Sequence, residues 1–335
     1  MRGSRTLRST LLIALVGALV AAGCGGGGGG GGSSTSATSG GASAKPTTLK
    51  VGVIPIADVA PLYVGIKQGF FKQEKLTIQP KLAAGGAAIV PAVVSGDDDI
   101  GFSNTTSEII AASKNLPIQI IANGDNGGTG PKDAPDGVLV KKGSPTKTAK
   151  DLEGKTIAVN TLNNVGPLTI NTALAKRGVD YKKVKYVEIE FPDMNTALDS
   201  GRVDAVWVVE PFVSQGKAAG SKVLLNPFEE TQPHLTIATY FASKQYIAKN
   251  KDVVDRFVRA MKRSLAYAQQ NPDAVRQIVT TYTKIPPAAA KVMTLPGYSA
   301  DVDRSSIQNT ANLAKKYGFI EKSPSVDDLL YTGGS

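Results

Sequence analysis

The 335-residue chain contains only one cysteine, one histidine and one tryptophan. A single cysteine cannot form an internal disulfide, and one cysteine with one histidine cannot complete a Cys/His zinc site. A Ser-His-Asp triad would depend entirely on His234, which lies in a segment that connects two regular patterns. The scarcity of these residues therefore argues against thiol, zinc and triad chemistry.

Sequence motifs of the common enzyme classes are also missing. The chain has no Gly-x-Ser-x-Gly elbow, no Walker A loop and no glycine fingerprint after a strand. Asp97, Asp98 and Asp99 begin a strand pattern, where alternating side chains favour a solvated turn over a metal site. Basic residues are scattered, which is not typical of a nucleic-acid-binding surface. We therefore expect a protein that is not an enzyme, with no catalytic residue, no metal, no cofactor and no nucleic-acid partner.

Long apolar runs are absent except for one short stretch near the N-terminus. Residues 11–22 follow three arginines and have the length of a signal-peptide core, too short for a comfortable membrane span. The small residues that follow lead to Cys24, in a pattern that resembles the processing site of bacterial lipoproteins. We predict a lipoprotein signal peptide over residues 1–23 and lipidation of Cys24; an ordinary secretory signal is the alternative.

Residues 24–48 are rich in glycine, serine and threonine, a composition typical of a solvated linker. With a lipid on Cys24, this disordered tether would hold the protein at the outer face of the bacterial cytoplasmic membrane, or in the periplasm. Removing residues 1–23 also removes three arginines and lowers the formal net charge from +10 to +7.

The remaining sequence contains one β-α-β-α-β pattern twice. A strand pattern at residues 50–55 recurs at 155–160, and Asp99–Phe102 recurs at Asp204–Trp207, an offset of about 105 residues. Alternating strands and helices predict an α/β fold with parallel sheets flanked by helices. The repeat favours two lobes, each a mostly parallel sheet, with a ligand crevice between them. One larger doubly wound sheet is the alternative.

The last third of the chain is predicted to be mainly helical. Residues 252–270 have an amphipathic pattern, and Asn271-Pro272 is a strong helix start. We interpret residues 234–241 as the segment that crosses back from the second lobe to the first. The predicted boundaries are residues 49–141 with 236–335 for lobe I, and residues 142–235 for lobe II.

Four short motifs carry a family resemblance. Gly52-Val53-Ile54-Pro55, Ser95-Gly96-Asp97, Asp151-Leu152-Glu153-Gly154-Lys155 and Gly201-Arg202-Val203-Asp204-Ala205 occur in the order found in ABC transporter substrate-binding proteins of the nitrate/sulfonate/taurine type. This group includes proteins that bind pyrimidine precursors of thiamine. The likeness covers residues 49–320, and it is the ordered set of motifs that is specific.

The resemblance implies a hinged, two-lobe type II periplasmic-binding-protein fold. It also implies a monomer that captures a small solute and delivers it to an ABC permease with its ATPase. A sulfonate, nitrate, carboxylate or pyrimidine-like compound would be the solute. A non-transport enzyme or a sensor built on the same fold remains the alternative.

The candidate ligand-binding residues follow the strand ends that would face the crevice. In lobe I they are Asp58, Tyr63, Gly85, Gly86, Ser103, Asn104 and Thr105; in lobe II they are Asn160, Thr161, Asn163, Asn164, Trp207 and Glu210. Hydroxyl and amide groups at such places bind ligand oxygens, cap helices, or do both.

Several of these candidates have an equally good structural interpretation. Tyr63 can pack on its helix, Gly85-Gly86 can be a turn, and Trp207 can belong to the core. Glu210 would repel an anion in the crevice, whereas at the hinge it would bond backbone N–H groups. This glutamate favours a compact polar organic solute over an inorganic anion.

Overall fold

The computed structural model describes residues 44–334, and ten strands of this region form two five-stranded sheets. The first sheet contains β1 (Thr47–Val53), β2 (Leu76–Leu82), β3 (Ile100–Asn104), β4 (Ile118–Asn126) and β10 (Thr236–Ser243). The second contains β5 (Asp136–Val140), β6 (Thr156–Val159), β7 (Lys185–Glu188), β8 (Ala205–Val209) and β9 (Lys222–Leu225). Their orders are β2-β1-β3-β10-β4 and β7-β6-β8-β5-β9. We call each sheet with its flanking helices a lobe.

Each sheet is mixed, with one strand running against the other four. In the first sheet β1 is parallel to β2 and β3, and β10 is antiparallel to β3 and β4. In the second sheet β6 is parallel to β7 and β8, and β5 is antiparallel to β8 and β9. The antiparallel strand is β10 in the first sheet and β5 in the second. In each case it is the strand that the chain forms first after crossing over from the other sheet. The predicted α/β fold with mostly parallel strands is therefore confirmed.

Helices connect the strands of both lobes. Those that accompany the first sheet are α1 (Ala60–Lys67), α2 (Phe70–Gln73), α3 (Gly86–Ser95), α4 (Thr105–Ser113), α9 (Lys244–Lys249), α10 (Lys251–Gln270), α11 (Pro272–Tyr282), α12 (Pro287–Val292), α13 (Arg304–Lys316) and α14 (Val326–Leu329). Those that follow strands of the second sheet are α5 (Val165–Lys176), α6 (Phe191–Asp199), α7 (Phe212–Ala218) and α8 (Pro227–Thr231).

The internal repeat is visible in the structure. The unit β1-α1-β2-α3-β3 recurs as β6-α5-β7-α6-β8, and in each sheet the first of these strands lies between the other two. Both copies pass from the second helix to the third strand through a glycine with positive φ, Gly96 at 87° and Gly201 at 73°. Glycine reaches this left-handed region without steric cost, so it ends the helix and turns the chain into the next strand.

The structure moves two of the predicted segment limits. Residues 136–140, which the boundary at 142 assigned to lobe I, form β5 and pair with β8 in the second sheet. The first crossing therefore lies between Asn126 and Asp136. At the other end, β1 begins at Thr47, inside the stretch predicted to be tether.

The second crossing brings the chain back as a fully buried strand. Residues 234–241 were interpreted as a connecting segment, but from Thr236 onward they belong to β10, which lies between β3 and β4. Every residue of β10 is buried, because both of its edges are paired and both faces are covered.

The predicted signal peptide, the lipidation site Cys24 and the tether up to residue 43 lie outside the described residues, and they stay predictions. Within residues 44–334, no helix combines the length and the apolar character that a membrane span requires.

Candidate ligand-binding site

A small cavity, about 20 Å³ in volume, lies between the two sheets. It is lined from the first lobe by Ile54, Ile56, Asp58, Phe102, Asn104, Ile237 and Ala238, and from the second by Asn160, Asn164, Val165, Phe191, Trp207, Val209 and Phe228. Many of these residues stand at or just beyond the carboxyl ends of β1, β3, β6 and β8, the edge at which ligands of α/β folds bind. In this arrangement the cavity has room for about one water-sized group.

On the side of the cavity lined by asparagines, hydrogen bonds at two helix caps connect the lobes. The Asn104 side chain accepts hydrogen bonds from the backbone N–H of Ser107 in its own lobe (2.9 Å) and of Val165 in the other (3.2 Å). Ser107 Oγ in turn donates to the carbonyl of Asn163 at 2.7 Å. The N-terminal ends of α4 and α5 therefore meet at Asn104.

On the second lobe Asn160 and Asn164 form a hydrogen-bonded pair at this end of the cavity. Asn164 also caps α5 by accepting from Val165 N, and Asn160 Nδ2 donates to the carbonyl of Ala84 in the first lobe at 3.2 Å. The amide nitrogens of Asn104, Asn160 and Asn164 thus each donate to an acceptor within the protein already.

Aromatic rings form the wall of the second lobe. The ring centroids of Phe191 and Phe228 lie 5.8 and 5.7 Å from that of Trp207. Trp207 is buried to 1% exposure, and its indole N–H donates to Asp136 Oδ2 at 2.8 Å. The indole also lies against Gly166 of α5, where an added Cβ would stand 2.5 Å from a ring carbon. Trp207 is therefore both a core residue and part of the cavity wall.

The buried carboxyl group of Asp58 forms the acidic side of the cavity. Asp58, in the short 3₁₀ turn Ala57–Val59, is 3% exposed, and Asp125 of β4 is fully buried next to it. No described residue donates a hydrogen bond to Asp58 Oδ2, and the Asp125 carboxyl lies beside the Asp58 carboxyl and near the backbone N–H of Ala238. Burial raises the pKa of Asp58 to about 7, and the nearby Glu210 carboxylate adds to the rise. Burial and the proximity of Asp58 raise the pKa of Asp125 well above its ordinary value.

A second acid pair lies behind the aromatic wall. Asp136, which holds the Trp207 indole, is next to Glu229 of α8, and burial raises the pKa of both carboxyl groups, that of Glu229 to about 7. Asp125, Asp136 and Glu229 were absent from the candidates drawn from the sequence. Asp125 and Asp136 belong to β4 and β5, two strands that the sequence analysis did not identify.

The structure brings some of the predicted residues together and separates others. Asp58, Asn104, Asn160, Asn164 and Trp207 line the cavity, and Asn163 meets Ser107 beside it. The backbone at Gly85 and Gly86 lies very close to neighbouring side chains. A Cβ added to Gly85 would stand 2.7 Å from Asn160 Nδ2, and one added to Gly86 would stand 2.1 Å from Ser103 Oγ.

The other predicted residues contact the protein itself. Tyr63 stacks on Tyr282 of α11, with ring centroids 4.0 Å apart. Thr105 Oγ1 donates to the carbonyl of Thr236 at 3.1 Å, and the hydroxyl of Thr161 is buried without a partner in the described region. Their contact with a solute stays a prediction.

Glu210 lies where the two lobes join. Its carboxylate accepts from Ser214 N at 3.0 Å, Ser214 Oγ at 2.8 Å and Thr294 N at 3.0 Å, and its backbone carbonyl accepts from Ala57 N at 2.9 Å. This is the geometry of the hinge interpretation, in which the glutamate bonds backbone N–H groups. Glu210 acts on the cavity through its charge, since it raises the pKa of Asp58.

An outer groove of about 560 Å³ continues the interlobe crevice toward the surface. Leu82, Tyr282 and Ile285 of the first lobe face Phe212 and Pro192 of the second across it. Phe212 stacks on Phe191 of the inner cavity, with centroids 6.0 Å apart, so this aromatic pair links the lining of the groove to the lining of the cavity. His234 lies elsewhere, on an open groove beside Gly297 and Asp301.

Comparisons with known proteins bear on the family and the fold of the chain. The family model described as "NMT1/THI5 like" matches residues 56–275. A putative ABC transporter periplasmic binding protein of Brachyspira hyodysenteriae is 25% identical over 254 residues, 72% of each chain. The taurine-binding periplasmic protein of Escherichia coli is 28% identical over 209 residues, so that the match spans 61% of each chain.

Among solved structures, the alkanesulfonate-binding protein SsuA from Xanthomonas axonopodis pv. citri, bound to MOPS, superposes with a TM-score of 0.74. The match has 18% identity and covers 86% of this chain and 99% of that one. It confirms the two-lobe α/β fold.

Proposed function

The chain belongs to the NMT1/THI5-like family, and we propose that it is the extracytoplasmic solute-binding component of an ABC importer. The observation that carries this proposal is the cavity between the lobes, because residues of both sheets enclose it at the carboxyl ends of their strands. A site divided between two hinged lobes captures a solute when the lobes close, and releases it when they open.

The proposal includes a partner and a location. An ABC permease with its ATPase would receive the solute from the closed protein. Cys24, once lipidated, would hold the monomer at the outer face of the membrane. Relatives named as periplasmic binding proteins support an extracytoplasmic place, and the lipid anchor rests on the sequence around Cys24.

The same residues support binding without chemistry on the solute. His234, the single histidine, is not among the residues that line the cavity, and its backbone N–H donates to Gly128 O at 2.9 Å. The hydroxyl nearest to the amide cluster, that of Ser107, donates to a backbone carbonyl and has no base beside it in the described contacts. Such a site orients a solute but offers no activated nucleophile.

The solute that copurifies with the full chain tests the proposal. We expect mass spectrometry to identify one small compound, and titration calorimetry with that compound to give one site per chain. Cells that lack the protein should lose uptake of the same compound. Catalytic conversion of the compound by the purified protein would refute the transport function.

A further inference from the structure

The residues that line the inner cavity differ from those of a typical anion-binding site. Sulfonate and carboxylate solutes carry negative charge, and proteins hold such groups with arginine, lysine or free backbone N–H groups. None of the described residues that line this cavity is a lysine or an arginine. The amide nitrogens of its three asparagines each donate within the protein.

The charged groups around the cavity are instead acidic. Asp58 lines it, Asp125 and Glu210 are close enough to influence the Asp58 carboxyl, and Asp136 and Glu229 lie behind Trp207. Lys217 interacts electrostatically with Glu210 and Arg276 with Tyr298, and Lys284 lines the outer groove. A positively charged group placed in the cavity would therefore be attracted to Asp58 and would favour the ionised form of its carboxyl group.

Two features of the cavity point to a ligand with that charge. Asp58 is 97% buried and lines the cavity, and its Oδ2 has no hydrogen-bond donor among the described residues. The rings of Phe102, Phe191, Trp207 and Phe228 form the rest of the wall. Aromatic rings attract a cation within about 6 Å of their centroids, and a carboxylate supplies the counter-charge.

We propose that the solute is an organic cation, a protonated amine or amidine whose charged group binds Asp58, with Asp125 behind it, among these aromatic rings. This inference rests on the proposed function and names its substrate class. The charged head group occupies the inner cavity, and the outer groove beside Phe212 and Tyr282, which Glu190, Asp193 and Lys284 also line, accepts the body of the molecule. Binding of the cation favours the ionised carboxylate of Asp58, and the proton that the carboxyl group held is released to solvent.

Probes of matched size and different charge test the inference. One series is ethylamine and acetate; the other is benzylamine, benzyl alcohol and benzoate, with taurine added, each at 10 mM and constant ionic strength. Thermal unfolding of the full chain at pH 7.5 measures binding. We expect an amine to raise the melting temperature, by about 4 °C where it is present at a hundredfold excess over Kd, and the anions to have no effect.

Single substitutions test which residues bind the amine. Asp58→Asn should weaken amine binding by about tenfold or more, because it removes a buried charged partner, and Asp125→Asn should weaken it to a smaller extent. The exposed Asp199→Asn on α6 is the matched control and should bind as the parent does. Circular dichroism checks that each variant is folded, and calorimetry with the best amine provides a second measure of affinity.

The outcomes separate this inference from the function on which it rests. Stabilisation by anions alone, no stabilisation by either amine, or equal amine binding by parent and Asp58→Asn overturns the cation assignment. A negatively charged solute released from the purified protein also overturns it, but leaves the importer function standing. Failure of the proposed function appears instead as catalytic conversion of the solute.

Discussion

Replacing Asp58 by asparagine should change how the stability of the protein depends on pH. Burial raises the pKa of Asp58 from 3.8 to about 7. The folded protein therefore keeps this proton at pH values where the unfolded chain has lost it. Because the folded state binds more protons in this window, its stability falls as the pH rises from about 4 to about 7.

The size of this change in stability follows from the shift in the pKa of Asp58. One pKa unit corresponds to about 1.4 kcal/mol, so ionising Asp58 costs the folded state roughly 4 kcal/mol by pH 8. In a unit of this size, that amounts to a change of roughly 6 °C in melting temperature. Two acids, Asp125 and Glu210, interact with Asp58 and influence its titration, whereas burial keeps the neighbouring Tyr240, Tyr282 and Tyr298 protonated in this pH range because it raises their pKa values well above the ordinary value.

Urea unfolding between pH 4.5 and 8, followed by circular dichroism, measures the effect. The difference in unfolding free energy between Asp58→Asn and the parent should grow in favour of the variant by about 3 kcal/mol as the pH rises across this range. Contributions of the other buried acids, such as Glu108 and Asp136, are common to both proteins and largely cancel. Asp199→Asn, at an exposed position, should leave the profile unchanged. A parent–variant difference that is constant across this range would refute the reasoning.

Three further predictions concern the rest of the chain. Trp207 is the only tryptophan and lines the cavity, so solute binding should change the intrinsic fluorescence; an unchanged spectrum at saturation would place the solute elsewhere. Gly166→Ala puts a Cβ 2.5 Å from the Trp207 ring, and we expect it to lower stability by about 1–3 kcal/mol and to shift the emission, whereas a parent-like melting curve would contradict the contact. Cys24→Ser should release the protein from membranes in cell fractionation, and full membrane retention would argue against a lipid anchor.

The repeated unit is the part of the fold that local sequence determines. Strand and helix periodicity, with glycine after each helix, recurs at an offset of about 105 residues and predicts both copies of β-α-β-α-β. These signals depend on near neighbours in the chain, so they can be recognised without knowing the tertiary structure. The polar residues at the strand ends are predictable for the same reason, and Asp58, Asn104 and Asn160 do line the cavity.

Which acidic residues become spatial neighbours depends on the tertiary structure. Asp58 and Asp125 are 67 positions apart, and Asp125 acquires its neighbour because β4 joins the first sheet beside β10, a strand that arrives from the far side of the second lobe. Glu210 likewise acquires a partner only on folding, because the backbone N–H of Thr294, 84 positions away, donates to its carboxylate. Such pairings depend on long-range strand order, and their pKa shifts depend on the burial that this order creates. The sequence by itself therefore determined a two-lobe binding protein, whereas the acidic, aromatic character of its cavity was decided by folding.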